Sequence, residues 1–341
     1  MIKIEVLTEN LFEDYKNFLL NNTGALFYYS LNFKNFLVNL LNCKNDYIIS
    51  IENGEIKGVL PLMFIDGEYG RVYNSLPFFG SNGGIISSSR ESYDLLIKEY
   101  NSIITDTQVG ASTIISNPLI ECNYEDIKYD LTDIRIGMLT NLKFKQNHEE
   151  MILTEIDSTA RRNINKAINS NIIVEIDNSQ IEFLKNLHQE NMRAIGGREK
   201  DDRFFSLIHR HFEEEKDYNI YVAKKEGKMI AGLLLFYFNK TVEYFTPGIM
   251  KEFGSLQPLS LIIYKAMVDA SKQGYYFWNW GGTWLTQEGV YRFKKKWATI
   301  SREYLYYIKI NNPKIYNASK EELLNEYKFF YVIPFTKLKE G

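Results

Sequence analysis

Cysteine is scarce in this chain of 341 residues: there are two, Cys43 and Cys122. They lie far apart and neither belongs to a Cys-x-x-Cys pair, which excludes a zinc knuckle or a disulfide framework and fits a reducing compartment. A bias of charge is also lacking. Lys plus Arg is 40 and Asp plus Glu is 43, a net charge of -3. That excludes a dedicated duplex-DNA binder while leaving room for a local basic patch. Long apolar runs are absent: the longest, Gly232 to Phe238, falls far short of the ~20 residues that span a bilayer and reads as a buried strand. The opening residues Met1-Ile2-Lys3-Ile4-Glu5-Val6 carry acid early and no apolar leader core, so a cytoplasmic protein is expected. No Gly-x-Ser-x-Gly elbow, Cys-His signature or heptad run occurs. His209 and His211, two apart on a helix, diverge and offer no metal pair; no metal site is expected.

What is present is apolar and aromatic. The chain is 45% hydrophobic and 15% aromatic, enough to bury large cores. Its length suits two domains. The second half alternates clearly. The pattern predicts a strand at 171–176, helices at 179–194 and 202–212, a strand at 218–224, a turn at Glu226-Gly227-Lys228 and a central strand at 229–238. A strand at 241–246 follows, ended by Pro247-Gly248. A helix over 256–270 has Pro258 in its first turn and Gly274 beyond its end. A strand at 275–280 then stops at Gly281-Gly282, before a short helix at 288–297 and a strand at 302–310.

The first half repeats this weakly. Strands at 47–51 and 56–64 flank the turn Glu52-Asn53-Gly54; a strand at 72–77 and a helix at 92–104 follow. A chance likeness of two strand-turn-strand units is the alternative. The predicted class is α/β (α+β), with two domains, each a mixed twisted sheet flanked by helices. The first is expected over 1–147, the second over 148–314, with the polar stretch 143–157 as the boundary.

Three segments carry a resemblance. Ser158-Thr159-Ala160-Arg161-Arg162-Asn163-Ile164-Asn165-Lys166-Ala167 looks like the basic helix that opens the second domain of Fem-type proteins. Gly274 to Gly282 (GYYFWNWGG) resembles their strand ending in a glycine pair. Gly289-Val290-Tyr291-Arg292-Phe293-Lys294-Lys295-Lys296-Trp297 resembles their Phe-Lys motif. Fem-type proteins are tandem GNAT-fold aminoacyltransferases that add residues to the peptide of a peptidoglycan precursor, using aminoacyl-tRNA. Related tandem-GNAT proteins acylate other amines from acyl-CoA. This chain is similar to the compact type without a coiled-coil arm. In that type the C-terminal segment, 315–341 here, folds back on the first domain.

The resemblance implies amide formation by direct attack of an amine, with no covalent intermediate and no tightly bound cofactor. The co-substrate is aminoacyl-tRNA or acyl-CoA; the acceptor is a cell-envelope precursor, or an amino sugar, free or nucleotide-linked. A lipid-linked substrate would bring only peripheral membrane contact. A non-catalytic binding module is the third possibility. The resemblance makes Lys294 the cation at the developing oxyanion, with Phe293 holding it by packing or a cation–π contact. The alternative is that Arg292, Lys294, Lys295 and Lys296 form a solvated helix face.

Arg161, Arg162 and Lys166, on a helix capped by Asp157 or Ser158, are expected to contact a diphosphate, or else to be solvated. Asn279, Arg292 and Tyr244 complete the expected substrate-binding set. Asn279 stands where the family commonly has Asp, and an amide cannot act as a general base. Lys251, Gly254 and Ser255 occupy the place of a GNAT pyrophosphate loop, which uses backbone N–H groups at a helix start; the bland reading is an ordinary helix start. His188 reads as a packed histidine. Leu76 to Gly84 is either a substrate loop or a turn.

Overall fold

The computed structural model describes residues 1–78, 82–120, 124, 126–284 and 286–338. Cys122 and the central part of the loop 76–84 lie outside them. The chain divides into two compact units, 1–135 with 303–341, and 136–302. The first division falls between Arg135 and Ile136, inside a continuous strand, and not in the polar stretch 143–157.

The first unit holds β1 (Lys3–Val6), α1 (Phe12–Leu20), α2 (Leu31–Leu41), β2 (Lys44–Asn45), β3 (Ile48–Glu52), β4 (Glu55–Leu60), β5 (Met63–Ile65), β6 (Arg71–Asn74), β7 (Ile86–Ser87), α3 (Arg90–Ile103) and β8 (Val109–Ile115). Asn53 and Gly54, both at positive φ, make the hairpin turn between β3 and β4. The strand expected over 56–64 breaks at Pro61, and its halves join different sheets. β4 lies in the order β1-β3-β4-β7, whereas β5 pairs with β2 and β6. β6 runs parallel to β8, with α3 as the crossover.

The C-terminal segment belongs to this unit. The side chain of Asn74 bonds both backbone groups of Tyr331, donating to its C=O at 2.8 Å and accepting from its N–H at 2.6 Å. The Tyr327 hydroxyl donates to Gly70 O and accepts from Tyr69 N. The Tyr331 hydroxyl reaches Asp133 at 2.6 Å. Cys43 is buried here, and desolvation pushes its thiol up to about 12, so it is an inert packing residue.

β9 (Leu131–Asn141) leads into the second unit, which adds α4 (His148–Glu155), α5 (Ser158–Asn169), β10 (Ile173–Ile176), α6 (Ile181–Ala194), α7 (Asp202–His211), β11 (Tyr218–Lys225), β12 (Lys228–Phe238), β13 (Thr241–Ile249), α8 (Pro258–Lys272), β14 (Phe277–Thr283) and α9 (Glu288–Lys295). β15 (Thr299–Ile310) and α10 (Lys320–Glu326) complete the chain. The stretch expected as a linker therefore contains a helix, α4. Its Ile152 is buried, and His148 bonds Ser271 of α8.

The strand order in the second unit is β10-β11-β12-β13-β14-β9. β10 to β13 form an antiparallel meander, β14 joins parallel to β13, and β9 pairs antiparallel with β14. β12 is buried on both faces. Leu233, Leu235 and Tyr237 join the core with α5 and α8, while the ring of Phe236 meets Phe212, just after α7. This double burial explains why residues 232–238 read as one apolar run. Gly248 lets α6 approach: a Cβ there would sit 2.9 Å from Leu187. Among the described residues, no helix is long and apolar enough to cross a membrane.

Candidate active site

β13 and β14 are neighbours for a short distance only. They pair at Thr241↔Phe277, Val242↔Trp278 and Glu243↔Asn279, and the pairing stops, although β13 runs on to Ile249 and β14 to Thr283. Both strands carry an irregularity where they part. On β13 the register against β12 shifts between Leu234 and Leu235, which leaves Phe245 as the extra residue. On β14 the register against β9 shifts between Asn279 and Gly282, and Gly281 takes φ +68. A left-handed residue in a bulge is the conformation that glycine adopts without strain. Pro247 has no N–H to give a neighbouring strand, which suits a stretch with β12 on one side only. The strand expected to end at Pro247-Gly248 thus runs through both, and the strand expected to stop at Gly281-Gly282 continues as a bulge.

Lys294 reaches this opening from α9. It is 6% exposed, and its ammonium donates to Thr283 Oγ1 at 2.9 Å, Gly282 O at 3.1 Å and Gly281 O at 3.5 Å. Among the described residues no carboxylate forms an ion pair with it. Burial lowers its pKa from the usual lysine value to about 8. Three neutral acceptors hold a cation that has been taken out of water.

Phe293 packs elsewhere. Its ring stands edge-on to Trp280 at 6.1 Å, within the cluster that holds Trp278 and Trp297. It anchors α9, while the ammonium is fixed by Gly281, Gly282 and Thr283. Tyr244 packs on Trp280 at 4.9 Å and Trp278 at 6.2 Å; burial raises its pKa, so it stays a neutral phenol.

Asn279 is 1% exposed. Its amide donates to Glu243 Oε2 at 2.8 Å and accepts from Gly281 N at 3.0 Å. Glu243, also 1% exposed, is a buried carboxylate at the last paired position of β13. Sequence reasoning missed it, because one Glu between Val242 and Tyr244 reads as the solvent face of a strand.

The other expected contacts divide. Arg161 is committed within the unit: its guanidinium donates to Leu153 O at 2.9 Å, Ile156 O at 2.6 Å and Thr154 O at 3.4 Å. It satisfies the orphan carbonyls at the end of α4, a capping role in place of the expected substrate contact. Arg162 and Lys166 are exposed on α5, whose N-cap is Asp157, its Oδ1 accepting from Ala160 N. Arg292 is an exposed partner of Glu288 at 2.8 Å, a pair on the surface of α9.

Lys251, Gly254 and Ser255 do not open α8. They lie in a 3-10 helix, Lys251–Leu256, bonded to its own caps: Phe253 N donates to Met250 O and Gln257 N to Gly254 O. Gln257, at φ 64, separates this turn from α8, which starts at Pro258, a residue without an N–H. These residues therefore form a separate turn ahead of α8.

His188 is 5% exposed, its pKa lowered to about 4 chiefly by burial. Its Nε2 accepts from the backbone N–H of Lys200 at 3.2 Å, a packed neutral imidazole. In the loop 76–84, the described flanks are bonded to the end of β8, Gly83 N to Ile115 O and Asn82 Nδ2 to Ser116 O. No group of His, Cys, Asp and Glu suited to a metal occurs among the described residues.

A sheet that opens between two parallel strands is the arrangement of the GNAT fold. Residues 158–295 match the acetyltransferase (GNAT) domain family. The chain is similar in fold to FemX, with a TM-score of 0.70 and 15% identity over 92% of this chain and 98% of that one. It is also similar to the C-terminal domain of a putative lysylphosphatidylglycerol synthetase from Agrobacterium fabrum (TM-score 0.54, 13% identity, 87% of this chain and 91% of that one). L-PGS from Bacillus licheniformis is similar at a TM-score of 0.50 and 15% identity, over 83% of this chain and 92% of that one. No curated protein matches the chain in sequence.

Proposed function

We propose that the protein transfers an aminoacyl group from aminoacyl-tRNA to an amine of a cell-envelope precursor, in the cytoplasm, by direct attack and without a covalent enzyme intermediate. The observation that carries this is Lys294, a buried cation held by neutral acceptors where β13 and β14 part. A donor carbonyl lying in the opening would place its oxygen near that ammonium. The developing oxyanion would then offset the desolvation that Lys294 already bears, which favours the transition state over the ground state. The attacking amine supplies the nucleophile, and its proton leaves to solvent or to the departing 3′-oxygen of the donor.

Two features favour an aminoacyl donor over acyl-CoA. Residues 251–256 are a closed 3-10 turn, and α8 begins with Pro258, so the helix start offers a pyrophosphate few free N–H groups. The similar structures include one named FemX and one named a putative lysylphosphatidylglycerol synthetase, the latter name describing an aminoacylated product. Arg162 and Lys166, exposed on α5, suit contacts to tRNA or to the diphosphate of a precursor. Acyl-CoA-dependent acylation of an amino sugar is the second reading, favoured by the GNAT-domain match. The test is transfer of a radiolabelled group from aminoacyl-tRNA, beside acetyl-CoA, to UDP-MurNAc-peptide. Labelled product from aminoacyl-tRNA alone supports the first reading; product from acetyl-CoA alone overturns it.

A further inference from the structure

We propose that Glu243 and Asn279 are a matched pair that positions Lys294. The proposal rests on the reading of Lys294 given above. The connection is continuous. Asn279 Nδ2 donates to Glu243 Oε2 at 2.8 Å, and Asn279 Oδ1 accepts from Gly281 N at 3.0 Å. The carbonyls of Gly281 and Gly282 then accept from Lys294 at 3.5 and 3.1 Å. The amide orientation is fixed by Gly281, because its backbone N–H only donates and so takes the amide oxygen, which turns the amide nitrogen to Glu243. Glu243 therefore sets Asn279, Asn279 sets the Gly281 bulge, and the bulge aims two carbonyls at the ammonium. Neither Glu243 nor Asn279 needs to touch substrate.

The pair also explains the residue type at 279. An Asp there would put two carboxylates within hydrogen-bond distance in a site 1% exposed, and one would have to hold a proton. An amide beside a carboxylate satisfies both neighbours at any pH at which the glutamate is ionised. Of the charged groups on the three elements of this site, β13 carries only Glu243, β14 carries none, and α9 adds Glu288, Arg292 and Lys295, of which the first two pair with each other in solvent. Asp157 and Lys296 lie beside the end of α9.

The test uses the full chain and two readouts. The titration midpoint of Lys294 is measured from the pH dependence of its labelling by acetic anhydride, read by peptide mass spectrometry, which needs no substrate. Turnover is measured with aminoacyl-tRNA. Asn279→Leu breaks both bonds; the expected result is a Lys294 midpoint rising by more than one pH unit from about 8 as water reaches the loosened side chain, with turnover falling at least tenfold. Asn279→Asp is expected to disturb both readouts as pH rises and the carboxyl pair loses its shared proton. The exchanged variant Glu243→Gln/Asn279→Asp restores an amide–carboxylate pair and is expected to return the midpoint to within half a unit of wild type and most of the turnover. A wild-type midpoint in Asn279→Asp at every pH, or an exchanged variant no better than Asn279→Asp, overturns the proposal. Should Asn279→Leu not fold, the comparison of Asn279→Asp with the exchanged variant decides. A midpoint that follows the pair in a protein that transfers no aminoacyl group keeps the positioning role and removes the proposed function.

Discussion

The Lys294 ammonium donates to the Thr283 hydroxyl at 2.9 Å, and this bond joins α9 to the end of β14. It is one of three neutral acceptors around a cation that is 6% exposed. Evolution of stability alone would not choose this arrangement, since a buried charge without a counter-ion is destabilising.

Lys294→Met should therefore separate function from stability. Losing a single oxyanion donor lowers turnover by roughly 10²- to 10³-fold. The acyl acceptor's KM should change little, because the cation acts mainly in the transition state. The melting temperature should hold or rise, since Met fills the site without a charge to desolvate. Steady-state kinetics beside thermal unfolding checks both.

The same lysine gives a pH signature. Its folded pKa, about 8, lies below its unfolded value, so between pH 8 and about 10 the unfolded chain binds more protons than the folded one. Stability contributed by this group thus rises with pH across that window, by up to roughly 3 kcal/mol. Catalysis runs the other way, since turnover needs the ammonium and should fall as pH passes 8. Lys200, also lowered to about 8 by burial, adds a parallel stability term. The measurement is the difference in unfolding free energy between wild type and Lys294→Met at pH 7 and pH 10, which cancels the Lys200 term. A difference that is flat with pH would contradict the burial of Lys294.

Arg161 and its neighbours on α5 should behave oppositely. Arg161→Ala strips the cap from α4 and should destabilise by about 1–3 kcal/mol with turnover per folded molecule unchanged. Arg162→Ala and Lys166→Ala, on the exposed face, should leave stability within about 0.5 kcal/mol of wild type. They should raise the KM for a phosphate-bearing substrate and weaken its salt dependence. Chemical denaturation with kinetics at two salt concentrations distinguishes these patterns.

Asn74→Ala should release the C-terminal segment. It removes both Asn74 bonds to the Tyr331 backbone; the C=O keeps the Thr113 hydroxyl at 3.3 Å, while the N–H loses the Asn74 acceptor, at a cost of about 1–3 kcal/mol. Limited proteolysis should cut first within 326–338 in the variant, while wild type is cleaved there slowly.

Much of the second unit was legible in the sequence, and the reasons are local. Alternation and the turn at Gly227 define β11, β12 and β13, and Pro258 and Gly274 bracket α8. Lys294 was reachable through the Phe-Lys segment. What escaped was decided by distant partners. Glu243 meets Asn279 only because β14, joined through the α8 crossover, lies beside β13. Arg161 caps a helix in a stretch whose polarity reads as linker. At Lys251–Leu256 the glycine suggested a phosphate loop, but a left-handed Gln257 and the ring of Pro258 turn the chain before the helix starts.

The parting of β13 and β14 is written into covalent structure: an extra residue at Phe245, a left-handed Gly281 and a proline at 247. No ligand has to prise the strands apart. Binding in this seam is free of an opening step, so association with a donor should follow simple one-step kinetics, its rate linear in donor concentration.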